Sequence, residues 1–368
     1  MRASPLFRED FETVGRLSSA PVMNRAVITD IPNAGAVPRG QAWAIVLAAG
    51  AGTRLSCLTR DHSGATVPKQ FCSLAGKGTL LEQALDRAAS VVDRRRITAV
   101  VAPDHRRHWL PLLRDLPPEN IVVQPLNRGT AIGMLLPALH ITARDPDARL
   151  LILPSDHHVG EEAVLAKAMK NALEDVRVHP CGVALLGVEA DEPDPELGYI
   201  VPHYIEHPRL RGVRRFAEKP RAEDARRLIR DGALWNSFIV ACRARSLIAL
   251  LRRSCPDAVS RLRAVLGADD EAVLGRVYQD LPVVDFSRDV ATGRELDFSV
   301  AQAPRCGWSD LGTPRRVAAT VARLPGSRRM KPIRAVGERE APINLADRLA
   351  EVRAADRPTN AFLQGGAA

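Results

Sequence analysis

The spacing of apolar residues changes at Ala42. Residues 1–41 mix Pro, Gly, Ser, Arg and acidic residues without a clear period, so we expect a poorly ordered N-terminal extension there. From Ala42 onward, short runs that are apolar on both faces alternate with amphipathic segments. Such runs are typical of strands that are buried between two layers of helices. The pattern therefore predicts an α/β fold with a mainly parallel sheet covered on both sides.

The individual elements are clearest in the first half of the chain. The predicted strands there are 42–48, 97–102, 120–124, 149–154 and 182–189, and the predicted helices are 79–92, 105–114, 130–143 and 161–176. The second half is less regular, with strand-like segments at 212–217, 235–241, 282–286 and 296–303 and helical segments at 221–231, 244–253, 257–266 and 314–323. A Pro-Gly-Ser linker follows, then a short amphipathic helix near 343–354. We therefore predict three segments: the extension 1–41, a main domain over 42–324, and a linker with a helical tail over 325–368.

Composition narrows the class of protein. The chain has 368 residues, of which 46% are hydrophobic and 26% charged, as in ordinary globular proteins. No apolar stretch reaches the ~18 residues of a membrane span, and the first residues lack the apolar core of a secretory signal. We therefore expect a cytoplasmic protein with no membrane partner.

The charge balance points to small anionic ligands. The net charge is +9, but the arginines are scattered and aromatic residues make up 4% of the chain. Because stacking platforms for bases are scarce, anionic small substrates are favoured over nucleic acid. The 6 cysteines show no C-x-x-C spacing, which argues against a zinc site.

A glycine-rich turn after the first predicted strand carries the clearest chemical signal. That strand ends in Ala-Ala-Gly-Ala-Gly-Thr-Arg, and Pro68-Lys69 follows downstream. Gly50 and Gly52 allow backbone N–H groups to face an anion, while Arg54 and Lys69 supply positive charge. Because ligands of open α/β sheets bind beyond the carboxyl ends of strands, the sequence predicts a polyphosphate site. The alternative is a plain strand-to-helix turn, and neither the P-loop nor the dinucleotide fingerprint is matched.

Six motifs, in order along 42–323, extend this signal. They are the Gly-x-Gly-Thr-Arg loop with Pro68-Lys69-Gln70-Phe71, Gln124-Pro125-Leu126-Asn127-Arg128-Gly129-Thr130-Ala131, Pro154-Ser155-Asp156-His157, Phe216-Ala217-Glu218-Lys219-Pro220, Trp235-Asn236, and Trp308-Ser309-Asp310-Leu311-Gly312. In this order they resemble the sugar-phosphate nucleotidyltransferases, above all the mannose-1-phosphate guanylyltransferases.

The resemblance implies a fold and a reaction. The expected fold is Rossmann-like and three-layered, with a mainly parallel mixed sheet and a small sugar-binding lobe. The expected reaction joins a sugar 1-phosphate to an NTP and releases pyrophosphate, with mannose 1-phosphate and GTP as first choices and Mg²⁺ as cofactor. A homo-oligomer is left open.

The resemblance also implies a role for each motif residue. The implied catalytic residues are Arg54, Lys69 and Asp156, and the implied Mg²⁺ ligands are Asp156 and Asp310. The implied nucleotide-binding residues are Ala48, Ala49, Gly50, Gly52, Thr53, Gln124, Asn127 and Thr130. The implied sugar-phosphate-binding residues are Gly198, Glu218, Lys219 and Asn236.

The acidic residues have a chemical rationale of their own, beside simpler alternatives. Asp156 follows an apolar strand, and a carboxylate beside a triphosphate requires a divalent cation between them. For Asp156 and Asp310 the alternative is helix capping. Glu218 and Lys219 directly follow the strand-like segment 212–217, and if that strand continues their side chains point to opposite faces, so that one serves a sugar and the other a phosphate. The alternative for Glu218 and Lys219 is an exposed ion pair, which contributes little to stability. The alternative for Asn236 is a hydrogen bond to a backbone group in a turn.

Two other functions stay open. A cytidylyltransferase of the methylerythritol-phosphate type shares Leu-Ala-Ala-Gly and Pro-Lys-Gln but lacks the later motifs. A non-catalytic regulator that binds a nucleotide sugar is suggested by Val290, which stands where the resemblance leads us to expect a glutamate.

Overall fold

A computed structural model describes residues 39–179, 182–204, 209–267, 271–324 and 342–355. The predicted extension therefore lies outside the described residues except for 39–41, and so do the linker 325–341 and the last residues of the tail. Among the described residues, none of the helices combines the length and the apolar character that a membrane crossing requires.

One mixed sheet organises the described part of the chain. Its nine strands are β1 (Ala42–Leu47), β2 (Ile97–Val101), β3 (Ile121–Val123), β4 (Arg149–Pro154), β5 (Val183–Glu189), β6 (Gly198–Pro202), β7 (Leu210–Glu218), β8 (Leu234–Arg243) and β9 (Ser299–Ala303). Their order is β3-β2-β1-β4-β8-β5-β9-β7-β6. The β3-β2-β1-β4 half is parallel, as is the β5–β9 pair, whereas β8 runs antiparallel to β4 and β5. β6 and β7, which carry Gly198 and Glu218, continue the same sheet.

Helices cover both faces of the sheet. The described helices are α1 (Leu80–Ala89), α2 (Arg106–Trp109), α3 (Gly129–Arg144), α4 (Glu162–Val178), α5 (Ala222–Arg230), α6 (Ala244–Ser254), α7 (Pro256–Ala264), α8 (Glu271–Asp280), α9 (Pro314–Arg323) and α10 (Leu345–Ala355). Alternate residues of β1 enter different cores. Ala44 and Val46 pack with α1 and α4, and Trp43 and Ile45 pack with α3 and α6. This alternation produces the predicted three layers.

The predicted elements are mostly present, with four exceptions. Segment 282–286 is not a strand, because Val284 instead exchanges backbone hydrogen bonds with Arg128 and Ala131 at the start of α3. It leads into a π-helical turn, Phe286–Ala291. The helix predicted over 105–114 is limited to α2, since Pro111 has no N–H to extend it. Sequence patterning missed β6 and α8.

The predicted C-terminal helix is present as α10 and is anchored to the main domain. Ser73 donates its backbone N–H to Ile343, and Leu345 donates to the carbonyl of Ser73, both at 2.8 Å. Leu345 and Leu349 are buried in the same core as α1 and α4. The tail is therefore part of the packed structure in this region.

Candidate active site

A cleft of about 420 Å³ opens where the carboxyl ends of β1 and β4 meet the β6–β8 part of the sheet. Most of the residues singled out from the sequence line it: Ala49, Gly50, Arg54, Gln124, Asn127, Thr130, Asp156, Gly198, Glu218, Lys219, Asn236 and Asp310. Segments that are far apart along the chain thus meet in one place.

The glycine loop is fixed by the Pro68–Phe71 turn. The Gln70 side-chain amide donates to the carbonyls of Ala48 (2.9 Å) and Gly50 (2.8 Å). Gly52 has φ +62°, and a Cβ there would lie 2.9 Å from the backbone nitrogen of Lys69. The loop therefore needs glycine at this position, both for its left-handed backbone and for its close approach to Lys69.

Asp156 and Asp310 lie on two loops that are hydrogen-bonded side by side. His158 and Ser309 exchange N–H···O=C bonds of 2.9 Å in each direction. The first loop follows β4 and the second precedes α9, so the bridge brings both carboxylates to the same end of the cleft. Asp310 also accepts from the Gly312 N–H (3.0 Å), the short-range turn bond that is typical of Asp.

A cation holds each of these carboxylates. The Lys69 ammonium lies 3.0 Å from an oxygen of Asp156 and also donates to the backbone carbonyl of Asp310 at 2.5 Å. Arg316, on α9, pairs with Asp310. Burial alone would raise the pKa of Asp156, but the positive charge of Lys69 and its hydrogen bond bring that pKa below its ordinary value. Burial lowers the pKa of His157 to about 4, so this residue is neutral near pH 7.

The N-terminus of α3 forms the opposite wall. Gly129 has φ +84°, and a Cβ there would lie 2.3 Å from the carbonyl oxygen of Val284. The Thr130 hydroxyl donates to Asp285 (3.2 Å) and accepts from the Phe286 N–H (2.8 Å). These contacts fix a helix start, with its partial positive charge, against the cleft.

Gln124 contributes an unpaired hydrogen-bond acceptor to the same wall of the cleft. Its side-chain nitrogen donates to the carbonyl of Leu126 (2.7 Å), which orients the amide. The side-chain oxygen is buried and has no hydrogen-bond partner among the described residues. A buried acceptor without a partner is costly, so this position suits a ligand N–H.

Strand pairing gathers the residues predicted to bind sugar. Gly198 pairs with Glu218 across β6 and β7, and a Cβ at Gly198 would lie 2.8 Å from a carboxylate oxygen of Glu218 and 3.5 Å from Cβ of Asn236. In β8 the register shifts between Asn236 and Ile239. The Asn236 side chain accepts from the Phe238 N–H (3.1 Å) within this irregularity, and Phe238 lines the cleft.

Backbone strain is concentrated around the cleft. Among the described residues other than glycine, the three with positive φ are Lys219 (46°), Phe238 (59°) and Leu311 (48°). The first two line the cleft, and Leu311 follows Asp310. Such conformations cost about 1–3 kcal/mol each and are commonly found at functional sites.

Charge on the cleft wall is predominantly acidic. Arg54 and Lys219 line the cleft, and neither has an ion-pair partner within the described ranges, so both are available to an anionic ligand. Asp156, Asp310, Glu196, Glu218 and Asp285 also line it. A triphosphate therefore meets more carboxylates than free cations, which favours a bound cation between them.

Four sequence-predicted residues do not form part of the cleft wall. Ala48 is buried just after the end of β1, Gly52 and Thr53 belong to the glycine loop without lining the cleft, and the buried Lys69 is bonded to the two acidic loops. Sequence analysis missed the involvement of Arg316 and Phe238. The involvement of Phe238 depends on the register shift of β8, which the sequence does not show. The short spacing between Asp310 and Arg316, at the start of a helix, could have predicted their ion pair.

Val290 is fully buried in the apolar core and does not line the cleft.

Comparison with known proteins defines the class. The sequence profile of the nucleotidyl transferase family matches residues 43–323. The chain belongs to the nucleotidyl transferase family, and its described fold agrees with that assignment.

Curated relatives give a narrower likeness. The chain is 29% identical over 294 residues to mannose-1-phosphate guanylyltransferase 2 of Escherichia coli O157:H7, covering 73% of this chain and 58% of that protein. It is 28% identical over 330 residues to mannose-1-phosphate guanylyltransferase of Sinorhizobium fredii (85% and 60%) and 30% identical over 275 residues to xanthan biosynthesis protein XanB of Xanthomonas campestris (73% and 57%). The chain thus spans less than two thirds of the length of these relatives.

Solved structures agree with the fold. A crystal structure from Thermus thermophilus, named mannose-1-phosphate geranyltransferase, superposes with a TM-score of 0.66 at 28% identity, covering 77% of this chain and 80% of its own. A Helicobacter pylori structure, named mannose-6-phosphate isomerase, gives a TM-score of 0.55 at 21% identity, with coverage of 73% and 99%. The second likeness concerns the fold alone.

Proposed function

We propose that the cleft joins a sugar 1-phosphate to a nucleoside triphosphate, with mannose 1-phosphate and GTP as the preferred pair. The observation that carries this proposal is the convergence of the glycine loop, the two acidic loops and the Gly198–Glu218–Asn236 cluster on one cleft. The likeness to proteins named mannose-1-phosphate guanylyltransferase supports this choice of substrates.

The donor set fits Mg²⁺. Asp156 and Asp310 supply carboxylate oxygens from adjacent loops, and Mg²⁺ commonly binds through one or two carboxylates plus substrate phosphates and water. The described residues contain no group of three or more His, Cys, Asp or Glu side chains suited to a metal, so phosphate oxygens and water would complete the shell. When bound, Mg²⁺ would neutralise charge on the α-phosphate.

The protein's own contribution is to hold two anions in reacting geometry. An oxygen of the sugar phosphate attacks the α-phosphorus, the bond from that phosphorus to the bridging oxygen of the β-phosphate breaks, and pyrophosphate leaves. Arg54 and the N–H groups of the glycine loop bind the leaving phosphates, and Lys219 binds the sugar phosphate. Because both substrates are oriented within one cleft, much of the barrier is removed by positioning and charge compensation.

Lys69 acts in this scheme through the carboxylates. Its ammonium fixes Asp156 and, through a carbonyl, the loop of Asp310. It therefore stabilises charge at the reacting phosphate indirectly, by holding the groups that bind the metal.

At the nucleotide end, the free acceptor of Gln124 takes an N–H of the base, and the start of α3 at Thr130 lies beside the ribose. At the sugar end, Glu218 and Asn236 bind hydroxyl groups, and the absence of a side chain at Gly198 leaves room for the ring. The proximity of Gly198 to Glu218 supports this division of the cleft.

The test is turnover with defined substrate pairs. The protein is incubated with Mg²⁺, each of GTP, ATP, CTP and UTP, and mannose 1-phosphate or glucose 1-phosphate, and pyrophosphate release is followed. The proposal expects the highest kcat/KM for GTP with mannose 1-phosphate. No release with any pair would reject the catalytic proposal, and a clear preference for another pair would reject the substrate assignment.

A single substitution tests the metal assignment. Asp156→Asn should lower kcat by about 10²–10³, a loss typical for removal of one group that stabilises charge in the transition state. Asp257→Asn is the matched control, because Asp257 is exposed on α7 and does not line the cleft. Full activity of Asp156→Asn would contradict the role of Asp156.

A further inference from the structure

Arg316 links two parts of the cleft that are distant in sequence. One terminal nitrogen of its guanidinium pairs with a carboxylate oxygen of Asp310, and the other lies 3.1 Å from a carboxylate oxygen of Asp194. The side chains of the three residues are 11%, 18% and 22% exposed, in the order Arg316, Asp310, Asp194. The pairs are therefore less screened by solvent than surface ion pairs.

Asp194 fixes the loop that leads to the proposed sugar site. Its second carboxylate oxygen accepts from the Glu196 N–H at 2.9 Å. Its backbone N–H donates to the Tyr199 hydroxyl (2.8 Å), which in turn donates to the Asp194 carbonyl (3.0 Å). Glu196, Leu197 and Gly198, which lie between these contacts, all line the cleft.

The position of Arg316 is set by α9. Thr313 caps this helix by accepting the Arg316 N–H (3.3 Å), and Gly312 donates to the carboxylate of Asp310 just before it. The guanidinium is planar and carries separate donors, so it can satisfy two carboxylates at once, which a lysine ammonium on a flexible stem does less well.

We propose that Arg316 is a positioning residue that ties the Asp310 carboxylate to the sugar-binding loop 194–198. The inference rests on the proposed function for the roles of Asp310 and Gly198, but the physical link does not. Through this link, one guanidinium sets the spacing between the site of the NTP α-phosphate, at Asp310, and the site of the sugar.

Substitution of either end of the link should affect one substrate more than the other. Arg316→Met and Asp194→Asn should each raise KM for the sugar 1-phosphate by about tenfold, with a smaller change in KM for the NTP. Arg316→Lys keeps the charge but not both contacts, so its effect should be intermediate. Arg315→Met is the matched control, since Arg315 is an exposed arginine of the same helix. Equal changes in both KM values, or none, would overturn the proposal.

Hydrogen exchange tests the link without turnover. Amides of the segment 194–198 should exchange faster in Arg316→Met and in Asp194→Asn than in the wild type and in Arg315→Met, while amides of β1 stay protected in all four proteins. If the wild type turned over no substrate pair, the proposed function would fail, and this measurement would still decide the link. Unchanged exchange over 194–198 in Arg316→Met would contradict it.

Discussion

Glu218 is the residue at which binding and stability are in conflict. Although the residue is exposed to solvent, partial desolvation of its carboxyl in the cleft raises its pKa above the ordinary value, and nearby Lys219 offsets only part of this effect. A folded-state pKa above the unfolded one favours folding at low pH, and that contribution is lost as the pH rises through the folded-state pKa. At neutral pH the ionised carboxylate therefore opposes folding, by an amount that its exposure to solvent keeps small, as expected for a group kept for function.

We predict opposite effects of Glu218→Gln on the two properties. The kcat/KM for the sugar 1-phosphate should fall about tenfold to hundredfold, because a hydrogen bond to a charged group contributes about 1.5–3 kcal/mol. Thermal stability at pH 7 should rise, and the gain should shrink toward pH 4. Glu223→Gln, at an exposed position of α5, is the control for both measurements. A lower melting temperature for Glu218→Gln at pH 7 would contradict this description.

At Lys219, the effect of the side-chain charge on binding can be measured separately from the effect of the strained backbone on stability. Its φ of 46° lies in the left-handed region, where residues other than glycine are disfavoured by about 1–2 kcal/mol. Lys219→Gly should therefore be about 1 kcal/mol more stable than Lys219→Ala, while both lose affinity for the sugar phosphate to the same extent. Denaturant unfolding and KM measurements on the two variants check this. Equal stabilities would argue against strain at this position.

At the scale of elements, the attachment of α3 to the segment after α8 shapes the nucleotide wall. Gly129→Ala would place a Cβ 2.3 Å from the carbonyl oxygen of Val284, at a positive φ. We predict a loss of more than about 2 kcal/mol in unfolding free energy, since both a clash and strain are introduced. Gly275→Ala in α8 has open space and should instead gain about 0.5–1 kcal/mol. A neutral Gly129→Ala would show that this attachment is loose.

Element prediction succeeded where the signal is local. The apolar run of β1, the glycine turn after it and the periodic helix α3 are all encoded within short windows of sequence. It failed at 282–286, because the apolar residues there pack against the start of α3 instead of joining the sheet. The cluster of Gly198, Glu218 and Asn236 depends on the register of β6, β7 and β8, which no single window contains. Motif resemblance predicted these residues, but not the Arg316 link.

At the scale of the whole molecule, buried histidines should govern stability in mild acid. Burial lowers the pKa values of His140, His157 and His158 to about 4, whereas an unfolded histidine titrates near 6.5. Between these values the unfolded chain binds more protons, so stability falls as the pH is lowered from about 6.5 to about 4. Each histidine contributes a slope of up to about 1.4 kcal/mol per pH unit.

His140 isolates this effect, because it lies on α3 and does not line the cleft. We predict that His140→Gln reduces the slope of unfolding free energy against pH by up to about 1.4 kcal/mol per pH unit between pH 6.5 and 4. Below pH 4 the slope should stay unchanged. Denaturant titrations at several pH values check this. An unchanged slope would contradict the burial effect at His140.

The central claim is that one cleft holds a nucleotide at the glycine loop and a sugar at the β6–β8 cluster, with phosphates between them. A crystal structure with GDP-mannose and Mg²⁺ tests this claim most directly. We predict the base at Gln124, the phosphates between Arg54, Asp156 and Asp310, and the sugar hydroxyls on Glu218 and Asn236. A nucleotide sugar bound elsewhere, or bound with its sugar at Gln124, would contradict it.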